Sequence, residues 1–396
     1  MGKADALLLV TFLIIAFAVI FRINIEGTSY LCPDSKAYIG LAQSIKDGHG
    51  FYTIDPITQE RSYFSIWPVG YPVLIAAFST ITGAGVFWSS KLMGLFFMAL
   101  AFLLFRRLNR EYSFVLASVF GAYTYLEVYS YSWSETPFLP GLLLLAFLSN
   151  QVWKRKRLLQ NSILIFVTCI ALFLLRYVGA FSFAIPGFFA LYFMYKSELK
   201  PAIGFFVITA LLAILAGAYL YTNVVLSGYA AGFERMDEGH VKPLQFMLML
   251  LKGLLNEVLI IREFRPANQP DILLYITVIL QSAIMYYVVK VINKHFDFWQ
   301  ALKKQSLSII CIGIGLLYFL SILSLRILSH FDDLYYRFMA PLSLLVFTGI
   351  LYTFVCLPDK HRDVIRAKYA VFVFFLLSAL INVPKKYIIN QLQWLF

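Results

Sequence analysis

Pro33-Asp34-Ser35-Lys36 leads into Tyr38, Leu41, Ala42 and Ile45, which recur at i, i+3, i+4 and i+7. The spacing predicts one short amphipathic helix with Asp34 at its N-cap and Gly48 at its end. A carboxylate fixed there can accept the proton of an attacking hydroxyl. Capping and the helix dipole favour the ionised carboxyl and make it a weak base, which suffices where proton transfer comes late, after the leaving-group bond has largely broken. The plainer reading of Asp34, as a helix cap alone, stands beside this one. Arg176 and Arg337 are the matching cations, because a planar guanidinium donates two hydrogen bonds at once to a phosphate. Arg176 sits between two apolar runs with almost no loop, and a charge at such depth faces a cavity or a partner. Arg337 follows Tyr335-Tyr336, where it reads equally as an interfacial arginine in an aromatic belt. Glu135 opens an apolar run ahead of Pro137, a place where an acid offsets a helix N-terminus.

Other groups have weaker claims. Lys36, Arg61, Arg262 and Arg265 are weaker candidates for phosphate that read more simply as solvated surface charge, Lys36 being kept as the third phosphate ligand. Tyr38, His49, Asp332, Asp333 and Tyr336 are placed as substrate contacts. Tyr63, Trp67, Tyr71, Trp133 and Tyr335 are further rings able to stack on sugar faces, though an interface belt explains each alone. No cofactor is expected to be required; His330 with Asp332 and Asp333 is a set that offers a divalent cation imidazole and oxygen ligands. Cys169, Cys311 and Cys356 fall in apolar runs and leave Cys32 alone outside, so no disulfide framework is expected.

The elements that hold these residues must be membrane helices. The chain of 396 residues is 61% apolar and 14% charged, against roughly 25% charge in soluble domains. A cleaved signal peptide is rejected, since the apolar stretch 6–21 nearly spans a bilayer. The start lacks the Ser or Thr of a myristoylation signal. The run 69–81 is too short to cross and is expected to dip in or lie along the surface. Spans are expected at 6–21, 86–105, 112–126, 136–152, 158–175, 178–195, 201–222, 270–290, 306–326, 338–357 and 369–383, eleven in all. This arrangement gathers 18 Lys and Arg against 6 acids on the side of 106–110 and 154–157, and 15 against 15 on the other. The whole formal charge of +12 then lies on the cytoplasmic face, as the positive-inside rule requires. It reports topology and contact with anionic lipid, and no nucleic-acid motif accompanies it. The chain is read as one transmembrane domain over 1–396, with outer loops 23–85, 127–135, 223–269 and 327–337 and a surface-lying helix near 241–261. All the chemistry-bearing residues fall in or beside these outer loops. The inner loops show no glycine-rich phosphate loop and no D-x-D for a nucleotide sugar.

An acid early in the first outer loop, the D-x-x-x-Y-x-x-x-A helix of Asp34, Tyr38 and Ala42, the glycine-rich exit and Trp67-Pro68-Val69-Gly70-Tyr71-Pro72 together resemble the GT-C superfamily. This is the group of membrane glycosyltransferases that includes protein O-mannosyltransferases and the aminoarabinose transferase of lipid A. Arg337 before Phe338-Met339-Ala340-Pro341 resembles that family's R-Y-x-x-P element, and Glu135 its acid in the second outer turn. The resemblance implies an all-α polytopic fold with an amphipathic helix in the first outer loop. It implies inverting transfer of a sugar from a polyprenyl-phosphate donor to a hydroxyl of a glycolipid, glycan or protein, outside a bacterial or archaeal cell membrane. Asp34 is then the base, Arg337, Arg176 and Lys36 hold phosphate, and Glu135 contacts substrate. A transporter or lipid flippase is the rival reading, but it would place its charges mid-membrane. An acyltransferase would need a buried histidine, and all five histidines fall in loops.

Overall fold

The computed structural model describes residues 2–54, 60–232, 242–265, 271–328 and 333–383. In chain order the helices are α1 (Lys3–Ile25), α2 (Pro33–Lys46), α3 (Gly70–Thr82), α4 (Val86–Leu108), α5 (Ser113–Ala117), α6 (Tyr123–Ser130), α7 (Glu135–Trp153) and α8 (Leu158–Leu175). They continue as α9 (Ala184–Tyr195), α10 (Leu199–Ser227), α11 (Pro243–Val258), α12 (Ile272–His295), α13 (Phe298–Lys304), α14 (Ser306–Leu328), α15 (Tyr336–Val355) and α16 (Arg362–Ile381). A small antiparallel hairpin, β1 (Tyr52–Ile54) and β2 (Arg61–Tyr63), pairs Tyr52 with Tyr63 after α2. Among the described residues nine helices are long and apolar enough to cross a membrane: α1, α4, α8, the run Tyr177–Tyr195 that contains α9, α10, α12, α14, α15 and α16.

Two of the eleven expected spans therefore look different. The run 136–152 is the 19-residue helix α7, which is largely buried and carries Glu135 and Asn150 near its ends. The run 112–126 is not one helix: α5 passes into a 3₁₀ turn over Ser118–Gly121, and the chain is extended at Ala122 before α6 begins. Broken backbone at membrane depth survives only inside protein, where its polar groups find partners. Residues 113–122 are all buried, and Tyr123 donates its N–H to the Ile260 carbonyl at 2.8 Å.

The helix expected after Pro33 is present as α2, with Tyr38, Leu41 and Ala42 buried against α3 and its neighbours. One detail differs. Cys32 holds the N-cap position, Pro33 occupies the first turn, and no side chain caps the helix, so Asp34 stands inside the helix with its carboxylate free to turn elsewhere. The 13-residue α3 is too short to cross, as its length requires. Helix α11 is amphipathic in the inverted sense: Leu244, Met247, Leu248, Leu251 and Leu255 point outward, while Gly253, Asn256 and Glu257 are buried. A Cβ on Gly253 would lie 2.1 Å from the Leu334 carbonyl oxygen, so only glycine lets α11 seat on the segment that leads to Arg337.

Two devices shape the interior around Glu135 and Arg176. Pro140 lacks the N–H that would bond the Thr136 carbonyl one turn back, and the Tyr129 hydroxyl donates to that carbonyl at 3.0 Å instead. We expect Tyr129→Phe to reopen this unmet acceptor and cost about 1–3 kcal/mol, read as a lower melting temperature in detergent. At Gly179 a Cβ would fall 2.2 Å from the Leu172 carbonyl, so the 3₁₀ turn Tyr177–Phe183 can fold back against the end of α8. That fold-back points Arg176 into the protein. The two ends of the bundle differ in charge. At one end Asp5 pairs with Arg106, Arg155 with Glu198 and Lys368 with Asp359. The other end holds the acids and rings described next.

Candidate functional site

Four charged side chains from four distant segments meet at the end of the bundle away from the basic loops. Arg337, in the first turn of α15, bonds Asp34 of α2 through Nη1 and Glu135 of α7 through Nε, the latter at 2.5 Å. Arg176, at the end of α8, makes an ion pair with the same Glu135 oxygen. The Glu135 side chain is 0% exposed, Arg337 6%, Arg176 10% and Asp34 19%. Two acids and two bases cancel in formal charge, which makes their joint burial tolerable. Each arginine also lies over aromatic faces, Arg337 4.6 Å from the Trp133 ring centre and Arg176 5.5 Å from that of Phe338.

The cluster is not closed on itself. Asp34, Tyr38, Trp67, Ser134, Arg176 and Arg337 line one cavity of about 240 Å³. Arg176 Nη1 pairs with Glu135 but has no well-directed hydrogen bond among the described residues. Two guanidiniums and a carboxylate opening on one cavity are suited to an anion whose departure is coupled to proton transfer. Burial raises the Tyr38 hydroxyl above its ordinary pKa, so it remains a neutral hydrogen-bonding wall, 3.4 Å from the Ser134 hydroxyl. Next to this cavity in sequence, at Leu174 and Leu175, begins an apolar groove of about 730 Å³ between α3, α4, α7 and α8. It includes Phe97 and Arg107 of α4, which helical rise places about 15 Å apart.

On the far face of Trp133 the site continues as a column of rings. Tyr131 stacks on Trp133 at 4.1 Å, Tyr30 meets Tyr131 edge-on at 5.0 Å, and Arg22 lies 5.2 Å over Tyr30. Arg22 pairs with Glu127, and its Nε donates to the Ser130 hydroxyl at 3.1 Å. Tyr336 lies beside both Trp133 and Tyr123. Lys91, buried in α4, donates to the Ser130 carbonyl at 2.6 Å. Sequence reasoning missed Arg22, Glu127 and Lys91. Glu127 and Tyr131 were visible in the turn 127–135, but a base at the end or inside an apolar run reads as a snorkelling charge.

Glu257 of α11 is a separate buried acid. Its Oε1 accepts from the Thr124 hydroxyl at 3.2 Å, and burial pushes the carboxyl pKa up to about 8 from an ordinary 4.5, against the opposing pull of the Ser343 and Thr124 hydroxyls. Between those two values the folded chain keeps a proton that the unfolded chain has released, so stability falls as pH rises through that window. Glu257→Gln is expected to remove the slope, giving a larger gain in melting temperature at pH 8 than at pH 5. Equal shifts at both pH values would refute this reading.

Asp34, Glu135, Arg176, Arg337 and Tyr38 are thus brought together, with Tyr336 one ring away. Lys36 is exposed on α2 and makes no ion pair with the cluster. His49 is exposed, and its carbonyl accepts from Arg61 at 2.6 Å. Arg262 pairs with Asp271, and Arg265 bonds Glu263 and the Tyr123 hydroxyl. Asp333 is exposed, while His330 and Asp332, and with them most of the suggested cation set, lie outside the described residues.

No protein-family model matches the chain, and no curated protein does. Among solved structures it is similar to ArnT from Cupriavidus metallidurans in the apo state, with a TM-score of 0.47 and 11% sequence identity over 95% of this chain and 77% of that one.

Proposed function

We propose that this chain is a membrane glycosyltransferase that moves a sugar from a polyprenyl-phosphate donor to a hydroxyl on the extracytoplasmic side. The observation that carries the reading is the shared cavity: Asp34, Arg176 and Arg337 line one space, and an apolar groove begins two residues before Arg176. The basic loops at the opposite end of the bundle support a cytoplasmic position for that end, and a cavity on the other side has no nucleotide sugar to draw on. A donor that diffuses within the bilayer fits the groove and the position of the cavity.

In this mechanism the acceptor oxygen forms a bond to the anomeric carbon as the bond to the phosphate oxygen breaks, and Asp34 takes the hydroxyl proton. The departing lipid phosphate leaves on Arg176 and Arg337. One carboxylate and one displacement invert the anomeric centre. The resting contact between Arg337 and Asp34 gives the sequence its order. An incoming phosphodiester, whose two free oxygens match the Arg337 fork, competes for it and frees Asp34 to face the acceptor, and the second charge that the phosphate gains as the sugar leaves strengthens the same contact. The test is transfer of labelled sugar from a polyprenyl-phosphate donor by the purified chain. Arg337→Lys retains charge but loses the fork, so donor KM should rise about tenfold or more while the protein still folds. An unchanged donor KM would remove Arg337 from phosphate recognition.

A further inference from the structure

The cytoplasmic end of the bundle carries a group of side chains that the proposed transfer does not use. His295 closes α12, His361 precedes α16, and Asp363 lies in the first turn of α16. His295 Nε2 is 2.8 Å from Asp363 Oδ2. The His295 and His361 rings overlap with centres 3.9 Å apart and planes inclined by 16°. One ligand atom from each of the three residues lies within 4.8 Å of the others. We propose that His295, His361 and Asp363 bind a divalent transition-metal ion of the zinc class and so fasten the end of α12 to α16.

The donor set selects the metal. Two imidazoles and one carboxylate suit zinc, nickel or copper, whereas magnesium and calcium prefer all-oxygen shells. Bonds of about 2.0–2.2 Å place tetrahedral ligand atoms about 3.3–3.6 Å apart, so closing the trio needs shifts of about 1 Å and a turn of one ring. Three protein ligands leave a fourth position for water. Lys294 lies beside the site, with its Nζ 3.7 Å from Asp363 Oδ2. Its side chain is 68% exposed and can swing into water when a metal ion takes that oxygen. The fold gives such a link a purpose. Only Leu274, Thr277, Gln281, Val291 and Ile292 of the 24 residues of α12 are buried, so this helix is lightly held by packing alone. A metal bridge to α16 supplies at its end what burial does not.

The experiment uses the full chain in detergent, without a polyhistidine tag, stripped with EDTA and dialysed against zinc. Metal content and melting temperature are then measured. Wild type should hold one zinc per chain and melt at higher temperature in micromolar zinc, with no response to millimolar magnesium. His361→Ala and His295→Gln should each weaken zinc binding about 100-fold or more, while His49→Ala, a change at the opposite end, should leave it intact. Because a His295 variant can disturb α12 itself, His361→Ala, outside any helix interior, is the deciding variant. Less than half an equivalent of zinc in wild type, or a full equivalent retained by His361→Ala, overturns the site.

Discussion

Replacing Asp34 by asparagine is expected to leave a folded chain that binds lipid phosphate but transfers sugar about 10²–10⁴ times more slowly. Asparagine has nearly the shape of aspartate and can still accept a hydrogen bond from Arg337, so the fold has little reason to move. What it lacks is basicity: an amide cannot take the acceptor's proton. The side chain is 19% exposed, and Glu135 remains as an anion for both arginines, so the stability cost should be smaller than that of neutralising Glu135. The kinetic signature separates this from a binding defect, because kcat should collapse with donor KM unchanged or lower. Turnover within threefold of wild type would take Asp34 out of the chemistry and leave it a structural partner of Arg337.

Glu135→Gln should do the reverse, damaging the protein before the reaction. Glu135 is fully enclosed and serves two guanidiniums at once, so neutralising it leaves Arg176 without its anion and sets two cations against each other in the interior. Breaking a buried pair in this way costs about 3–5 kcal/mol, enough for a fall of several degrees in melting temperature. Removing the charge together with its partner should recover much of the loss: Glu135→Gln with Arg176→Met is expected to melt above Glu135→Gln alone. If the single variant melts as wild type does, the cluster is better solvated than its burial implies.

The residues of the cluster were legible one at a time because each breaks a local pattern. Asp34 and Glu135 are acids beside apolar runs, Arg176 interrupts one, and Arg337 stands among tyrosines. Their meeting was not legible from spacing, since Asp34 and Arg337 are 303 residues apart. The local reading of Asp34 as a cap also failed, for a physical reason: Pro33 fits the first turn of a helix, which moves the cap back to Cys32. Hydropathy predicted a span over 112–126, but it cannot register an extended residue such as Ala122, whose neighbour bonds to Ile260 instead of continuing the helix. Lys36 and His49 illustrate another limit: proximity to Asp34 in sequence says nothing about which side of α2 or of its exit faces the cavity. The pairing of Arg22 with Glu127 depended on how α1 and α6 pack, which no period in either segment encodes.

The most direct test of the whole account is a structure of the chain with a polyprenyl phosphate bound. The phosphate should lie within hydrogen-bond reach of Arg176 and Arg337, with the hydrocarbon chain between α3, α4, α7 and α8 and the Asp34 carboxylate released from Arg337. A phosphate seated at any other part of the molecule, with the Arg337 contact to Asp34 intact, would contradict it.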